Sequence, residues 1–278
     1  MRQAAHIAVI TGTTHGIGRV TGRELARAGY TVVMLCRDVA AARVVEREIV
    51  ELVAAAEVHT VRCDLASLAS VRDCAAKVRS SFGPIRLLIN NAGMSSWRHR
   101  MSTDGFELTF ATNHLGPFLL THLLLDRLDA DCGRIVNVAS RVHYRGRINL
   151  DWVRDPKAPY LGTAAYAQSK LANVLYTFAL ARRLENSRVT ANCLHPGVVA
   201  TNLLPKWLRV VKPLMSRVIF DAERGARTTL HLALASEVAG ISGRYFDEHQ
   251  VVRPAAALAN DIELQELLWR QSAEWVGM

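Results

Sequence analysis

Tyr166 and Lys170 are the residues whose types and spacing most directly suggest chemistry. They stand four positions apart in the stretch YAQSK, inside a segment predicted to be helical from about residue 163 to residue 186. Side chains at i and i+4 share one helical face, and an ammonium beside a phenol lowers the pKa of the tyrosine. Such a tyrosine works as an acid or base closer to neutral pH. Taken alone, the pair more often means a solvated lysine beside a half-buried tyrosine.

The composition limits the classes of protein to which the chain can belong. With 278 residues, of which 50% are hydrophobic and 21% charged, it can bury a substantial core, and we expect a single domain over residues 1–278. No apolar run of about 18 residues predicts a membrane span, and the N-terminus lacks the features of a signal peptide. The odd number of cysteines and the lack of a C-x-x-C pair indicate reduced thiols in the cytoplasm, without disulfides or a metal site.

The net charge of +9 is compatible with phosphate-bearing ligands, anionic membranes or nucleic acid. No compact run of Lys and Arg with interleaved aromatic residues occurs, so nucleic-acid binding is not predicted. A basic surface without a specific partner remains the alternative.

A glycine turn follows the first predicted strand. Residues 6–11 are apolar, TGTTHGIG occupies residues 11–18, and apolar residues then recur at helical spacing up to Gly29. Glycines in such a turn let the backbone approach a ligand, and the helix behind them offers free N–H groups to a phosphate. The spacing G-x-x-x-G-x-G differs from G-x-G-x-x-G. The strand before it and the helix after it nevertheless predict a pyrophosphate site.

Arg37 and Asp38 follow a second predicted strand, residues 30–36, about 20 residues beyond the glycines. At this position an acidic residue usually binds the adenosine ribose 2′-hydroxyl, whereas an arginine accommodates a 2′-phosphate. With the arginine first, NADP(H) is favoured and NAD(H) remains open. The alternative is that Arg37 is simply solvated.

Polar residues stand where other predicted strands end. Asn90 to Gly93 follow the strand at residues 85–89, and Ser140 ends the strand at residues 134–139. Ligands bind at the carboxyl ends of strands in open parallel sheets. The asparagines are expected either to cap or turn the chain, or to hold neighbouring strand ends together around a cofactor. Asn113 precedes Pro117 within a helix predicted through residue 128, and that proline should interrupt the helix and free backbone groups.

The alternation of strands and helices predicts an α/β fold. We expect one Rossmann-type, doubly wound parallel sheet of about seven strands with helices on both faces. The helix at residues 67–82 has Ser67 as a plausible N-cap. Residues 141–162 are expected to form a long surface loop, residues 198–222 a substrate loop, and residues 255–278 a C-terminal helical region.

In combination, TGTTHGIG, Asp64, NNAG, Asn113, Ser140, YAQSK and HPG occur in the order seen in the short-chain dehydrogenase/reductase family, which the chain resembles over residues 6–250. Within it, NHLGPFLL, SKLANVLY and the long gap before Tyr166 resemble the retinol dehydrogenase-like branch. That branch typically prefers NADP(H) and acts on lipophilic alcohols, aldehydes or ketones. The resemblance therefore implies an oxidoreductase of this kind.

The resemblance also implies roles for individual residues. Tyr166 is the general acid/base, Lys170 holds the nicotinamide ribose and lowers the pKa of Tyr166, Ser140 orients the substrate oxygen, and Asn113 places Lys170 and a relay water. The residue patterns and the resemblance together predict cofactor contacts from Gly12, Thr14, His15, Gly16, Ile17, Gly18, Arg37, Asp38, Asp64, Leu65, Asn91, Ala92, Gly93, Tyr166, Lys170, Pro196, Gly197, Val199 and Thr201. For His15, contact with the 2′-phosphate and exposure to solvent both stay open.

Three further expectations concern partners. The apolar segment at residues 198–220 carries four cations, which is typical of a substrate flap and also of weak peripheral contact with an anionic membrane. Family members often pair through their long helices, so the resemblance implies a homodimer. A non-catalytic NADP(H)-binding sensor or scaffold is the alternative function, and it is disfavoured because the residues aligned with catalysis are all present.

Overall fold

A central sheet organises the part of the chain that the computed structural model describes, residues 6–197 and 221–278. Its strands are β1 (Ile7–Thr11), β2 (Thr31–Cys36), β3 (Val58–Arg62), β4 (Ile85–Asn90), β5 (Arg134–Val138), β6 (Thr190–Leu194), β7 (Tyr245–Phe246) and β8 (Val252–Arg253). They lie in the order β3-β2-β1-β4-β5-β6-β7-β8. All neighbours are parallel except β7 and β8.

Helices connect these strands on both faces of the sheet. The α-helices are α1 (Gly16–Arg27), α2 (Val39–Leu52), α3 (Leu68–Ser81), α4 (Leu108–Phe110), α5 (Gly116–Leu124), α6 (Asp151–Arg154), α7 (Gly162–Arg183), α8 (Ala222–Leu234) and α9 (Ile262–Trp275). Among the described residues, no helix has both the length and the apolar character needed to cross a bilayer.

The inner strands are apolar along their whole length because both of their faces are covered. In β1, Val9 joins the core on one side of the sheet and Ile10 the core on the other. In β4, Leu88 and Ile89 divide in the same way. A strand buried on both faces is typical of a parallel sheet between two helical layers. The predicted α/β class and doubly wound sheet are thereby confirmed.

The eighth strand is a correction to the predicted count of about seven. Only two residues long and exposed, β8 pairs antiparallel with β7. Neither periodicity nor burial can reveal so short a strand from the sequence. A second correction concerns residues 141–162, predicted as loop, which contain a 3₁₀ turn (Arg141–Arg145) and α6.

The predicted break before Pro117 is present as a π-helical turn. Residues Ala111–Leu115 form this turn between α4 and α5. Since proline has no N–H, Pro117 cannot donate to the carbonyl of Asn113 four residues earlier. The helix predicted through residue 128 is thus divided into α4, the π-helical turn, α5 and a 3₁₀ turn (Leu125–Arg127), and Asn113 lies in the π-helical turn. Elsewhere the predicted Ser67 cap is confirmed, since its hydroxyl accepts from Ser70 N at 3.3 Å.

The C-terminal helix α9 covers the long helices α5 and α7. The ring of Trp269 lies 5.4 Å from that of Phe118, and the guanidinium of Arg183 lies 3.8 Å above Trp269. Ser272 Oγ and His114 Nε2 are hydrogen-bonded at 2.9 Å. As a result, every residue of α7 from 167 to 177 is buried, on all sides of the helix. The homodimer stays a prediction.

Candidate active site

The glycine turn after β1 is packed so closely that side chains are excluded. Gly12 has a φ of +74° and Gly16 a φ of +58°, both in the left-handed region that favours glycine. A Cβ on Gly12 would lie 2.9 Å from Ala92 Cα, and one on Gly18 would lie 2.1 Å from Gly12 O. The first turn of α1 therefore lies directly against the turn that leads into it.

The first turn of α1 retains donors for an anion. His15 occupies the N-cap position, but its side chain makes no capping hydrogen bond; Nδ1 instead lies 3.0 Å from Thr14 Oγ1. Uncapped N–H groups at a helix start, with the positive end of the helix dipole, suit a phosphate. Ile17 is buried in a cluster with Val20, so only its backbone is available here. The turn fits a dinucleotide pyrophosphate.

At the end of β2, the two residues predicted to contact the adenosine ribose or its 2′-phosphate have different surroundings. Asp38 caps α2, since its Oδ1 accepts from Ala41 N at 3.0 Å. Arg37 is exposed, and no hydrogen bond or ion pair joins it to another described residue. Thr13 Oγ1 and Cys36 Sγ lie 3.0 Å apart and hold the end of β2 against the glycine turn. This contact could not be predicted from the sequence, because the two side chains are 23 positions apart.

The end of β3 is positioned by backbone packing. Asp64 Oδ1 accepts from Ala66 N at 3.0 Å, and Asp64 N donates to Ser70 Oγ at 2.9 Å. Leu65 is buried, and a Cβ on Gly116 would lie 2.3 Å from Leu65 O. Gly116 therefore allows the start of α5 to pack closely against the residues that follow β3. This role was not predicted from the sequence, where Pro117 was the residue noted at this position.

The residues after β4 tie β1 and β4 together. Asn91 Nδ2 donates to Thr11 O at 2.8 Å and to Gly12 O at 3.2 Å. Thr11 Oγ1 accepts from the backbone N–H of Asn91 at 3.0 Å and of Ala92 at 2.9 Å. These bonds confirm the hypothesis that the asparagines hold neighbouring strand ends together. They also make Thr11 a site residue that was not predicted.

A second set of hydrogen bonds, between buried polar side chains, lies beneath the strand ends. Asn90 Nδ2 donates to Asn137 Oδ1 at 2.8 Å and to Thr121 Oγ1 at 3.0 Å. Asn137 Nδ2 in turn donates to Thr177 Oγ1 at 3.0 Å. Buried polar groups persist when they are hydrogen-bonded, and this set fixes β4, β5, α5 and α7 relative to one another. Asn90 was noted in the sequence only as part of NNAG, and the other members, Thr121, Asn137 and Thr177, did not stand out because each lies inside an apolar element.

Tyr166 and Lys170 face the end of β5 from α7. Lys170 is 2% exposed, and its Nζ donates to Val138 O at 2.8 Å. The same Nζ lies 5.7 Å from the centre of the Tyr166 ring, so the two side chains share one face as predicted. Ser140 lies two residues after the end of β5, and its side chain is near enough to the hydroxyl of Tyr166 to influence the pKa of that group. A serine, a tyrosine and a lysine are thus brought together at the carboxyl edge of the sheet.

Asn113 locks the loop after β4 to α7. Its Nδ2 donates to Met94 O at 2.8 Å and to Ser169 Oγ at 3.0 Å, and its Oδ1 accepts from Met94 N at 2.8 Å. A Cβ on Gly93 would lie 3.3 Å from Lys170 Nζ and 3.5 Å from Asn113 Oδ1. Asn113 therefore lies beside Lys170, at the place that the resemblance implies.

Burial raises the pKa of Tyr166 to about 12, and the hydrogen bond with Ser140 only partly opposes that rise. The residue as a whole is only partly buried, yet burial is the largest influence on its hydroxyl. The pKa of Tyr166 is therefore raised and not lowered as expected: burial is the largest cause, and the Lys170 ammonium, 5.7 Å from the ring centre, is not among the causes. Burial also lowers the pKa of Lys170 to about 8. Near neutral pH Tyr166 is protonated, which is the form that donates a proton.

Lys170→Met should reveal the titration of Lys170 in stability measurements. The folded pKa is about 8, whereas an unfolded lysine titrates near ~10.4. Between these values the unfolded state binds more protons, so the parent gains stability as the pH rises. Its free energy of unfolding in urea should therefore rise relative to that of the variant between about pH 8 and pH 10. A difference that does not change with pH would contradict the lowered pKa.

The end of β6 brings one more group to the site. Pro196 and Gly197 follow the strand, and Gly197 has a φ of +86°. Val199 and Thr201, predicted on the nicotinamide side, lie outside the described residues, as does most of the substrate loop predicted at residues 198–222. His195 is 3% exposed, and burial lowers its pKa to about 4, so its ring is neutral. In the sequence, His195 stands out only as part of the HPG motif.

The sheet order and the glycine turn place the chain among the dinucleotide-binding α/β proteins. The sequence profile described as short chain dehydrogenase matches residues 6–209, and the chain belongs to the short-chain dehydrogenase/reductase family. It is similar to retinol dehydrogenase 13 of Homo sapiens, with 40% identity over 97% of this chain and 84% of the relative. Polyprenol dehydrogenase of Homo sapiens is 38% identical over 98% of this chain and 85% of the relative.

Two solved structures extend the comparison. An uncharacterized protein from Mycobacterium Paratuberculosis is 34% identical with a TM-score of 0.80, covering 98% of this chain and 94% of its own. A metagenomic short-chain oxidoreductase in complex with NADP is 26% identical with a TM-score of 0.63, covering 85% and 94%. The retinol dehydrogenase-like resemblance is confirmed, and the chain is an oxidoreductase of CH–OH donors with NAD(P)⁺ as acceptor.

Proposed function

We propose that the chain is an NADP(H)-dependent oxidoreductase that interconverts a lipophilic alcohol and its aldehyde or ketone, with Tyr166 as general acid/base. The observation that carries the proposal is the grouping of Ser140, Tyr166 and Lys170 at the carboxyl edge of the sheet, where the buried Lys170 Nζ lies 5.7 Å from the centre of the Tyr166 ring and Ser140 acts on the Tyr166 hydroxyl. The names of the relatives, retinol and polyprenol dehydrogenases, support a lipophilic alcohol.

Each residue of the group has a task that suits its position. The bound nicotinamide supplies the hydride. In reduction, Tyr166 gives its proton to the carbonyl oxygen of the substrate, and in oxidation it takes the proton from the alcohol. Ser140 holds the same oxygen by a hydrogen bond. Lys170, 2% exposed, holds the nicotinamide ribose, and Asn113 fixes Ser169 beside it.

A turnover screen tests the proposal. Purified protein is supplied with NADPH and a series of straight-chain aldehydes and ketones of increasing length, and cofactor oxidation is followed by absorbance. We expect activity that rises with chain length, because each buried CH₂ contributes about 0.8 kcal/mol. Cofactor binding without turnover on any carbonyl would instead support the alternative, a non-catalytic NADP(H) sensor or scaffold.

Arg37→Ala should weaken NADPH binding much more than NADH binding. The guanidinium is exposed, stands at the end of β2, and has no partner among the described residues. A charge-assisted hydrogen bond to a 2′-phosphate contributes roughly 1.5–3 kcal/mol, which NADH cannot lose. The dissociation constants of both cofactors are measured by fluorescence titration. Arg47→Ala, which removes an exposed arginine further along α2, is the matched control. If the ratio of the NADPH and NADH dissociation constants is unchanged in Arg37→Ala, another residue binds the 2′-phosphate.

We also propose a cytoplasmic protein that makes weak peripheral contact with anionic membranes through residues 198–220. The four cations of that segment, with no acid among them, support the contact. Purified protein should co-sediment weakly with liposomes that contain acidic lipid at low salt, and less so at high salt. If no protein co-sediments at low salt, the membrane contact is excluded.

A further inference from the structure

A cavity of about 420 Å³ lies on the side of α7 away from Tyr166. Ala164, Ala165 and Gln168 form its wall on this helix. Successive helical residues are about 100° apart, so Ala164 and Gln168 each point about 160° away from Tyr166. The cavity is therefore separated from the Ser140–Tyr166 group by the body of the helix.

The opposite wall of the cavity is apolar and aromatic. It is formed by the segment between the 3₁₀ turn and α7, including Ile148, Trp152, Pro159 and Tyr160. Trp152 is 44% exposed even though its indole faces a concave surface. Small-molecule sites are typically concave and mostly apolar, with a few polar groups that fix the orientation of the ligand. This segment belongs to the long stretch between Ser140 and Tyr166 that was noted in the sequence.

The charge of the cavity is positive. Arg145 and Arg147 line it, both are exposed, and neither has a hydrogen bond or ion pair to another described residue. Glu107 also lines it but is 5% exposed. Its Oε1 accepts from Thr109 N and from the hydroxyl of Tyr160. Its Oε2 accepts from the backbone N–H of Phe110. The carboxylate thus serves the start of α4 and leaves the two arginines without an anion.

A further polar atom is left without a partner beside the cavity. His99 stacks on Tyr160 with ring centres 4.8 Å apart and an angle of 4° between the planes. Its Nε2 is buried and has no hydrogen-bond partner among the described residues. A buried polar atom without a partner is costly unless a ligand or water satisfies it.

We propose that this cavity is a second binding site, for a small amphipathic anion. The apolar or aromatic body of the ligand lies against Trp152 and Tyr160, and its carboxylate or sulfonate lies on Arg145 and Arg147. The site is independent of the proposed catalysis, because it lies on the other side of α7 from Tyr166.

The test uses 8-anilinonaphthalene-1-sulfonate, which carries an aromatic body and one sulfonate, added to the full chain saturated with NADPH. We expect saturable fluorescence, with energy transfer from tryptophan that falls in Trp152→Phe. The double variant Arg145→Ala/Arg147→Ala should bind the probe at least about tenfold more weakly, since it loses two charge-assisted contacts. The double variant Arg43→Ala/Arg47→Ala removes the same charge from α2 and should bind like the parent.

A neutral probe separates the charge from the apolar body. N-phenyl-1-naphthylamine, which lacks the sulfonate, should bind with the same affinity to the parent and to Arg145→Ala/Arg147→Ala, and this also shows that the cavity is intact. The proposal is overturned if the sulfonate probe does not bind the NADPH-saturated parent, or if both double variants bind it equally. Turnover of Arg145→Ala/Arg147→Ala is measured in parallel, so loss of the second site is distinguished from failure of the enzyme function.

Discussion

Tyr166→Phe lowers turnover by about 10²- to 10⁴-fold, the usual contribution of a positioned general acid. The substitution removes one hydroxyl and keeps the ring, which packs beside Lys170. Because the raised pKa of about 12 keeps the hydroxyl protonated, the proton that is lost is the one offered to the substrate. The dissociation constant of NADPH should stay within about twofold, since the glycine turn that holds the pyrophosphate is unchanged.

Tyr176→Phe is the matched control for this experiment. Tyr176 lies on the same helix, is 4% exposed, and packs against Trp269 instead of facing the sheet edge. Steady-state kinetics with NADPH and a carbonyl substrate should give parental turnover for Tyr176→Phe. Comparable activity in Tyr166→Phe and Tyr176→Phe would show that Tyr166 is not the acid, whatever cofactor binding shows.

Gly18→Ala should destroy most of the affinity for NADPH. The new Cβ would lie 2.1 Å from Gly12 O and 2.5 Å from Asn91 Nδ2, so the turn has to move away from α1. Overpacking of this kind costs about 1–3 kcal/mol. If this free-energy cost is relieved by movement of the turn that binds the pyrophosphate, the affinity for NADPH drops about ten- to a hundredfold. Fluorescence titration measures the affinity, and urea unfolding measures the remaining cost to stability.

Gly22→Ala, four residues further along α1, is the control within the same helix. There the nearest heavy atoms to a new Cβ are 3.8 to 3.9 Å away, which is ordinary contact. Alanine is favoured over glycine inside a helix by about 1 kcal/mol, so stability should be equal or higher and NADPH binding unchanged. Equal NADPH affinity in the two variants would show that the close approach of Gly18 is not needed for binding.

The features that depend on local pattern could be predicted from the sequence. The glycine turn, the Ser67 cap, the break before Pro117 and the shared face of Tyr166 and Lys170 each follow from residues a few positions apart. Strand-end asparagines were correctly expected to tie neighbouring strands, because the carboxyl ends of parallel strands meet at one edge.

The features that depend on packing between residues far apart in the sequence could not be predicted. The contact between Thr13 and Cys36 joins residues that no periodicity relates. The pKa of Tyr166 was predicted in the wrong direction, because the sequence shows the neighbouring lysine but not the burial that raises this pKa. The cavity behind α7 exists only because the segment after Ser140 folds back on that helix, where Gly146 lies close enough that a Cβ would be 2.6 Å from Ala167 O.

The cover that α9 provides over α5 and α7 has a consequence for how the site is maintained. A helix contributed by a second copy of the chain would dissociate on dilution, following mass action. Here Trp269 and Ser272 belong to the same chain as Phe118 and His114, so their contacts form at a fixed effective concentration. The π-helical turn that carries Asn113 is therefore supported equally well at any protein concentration.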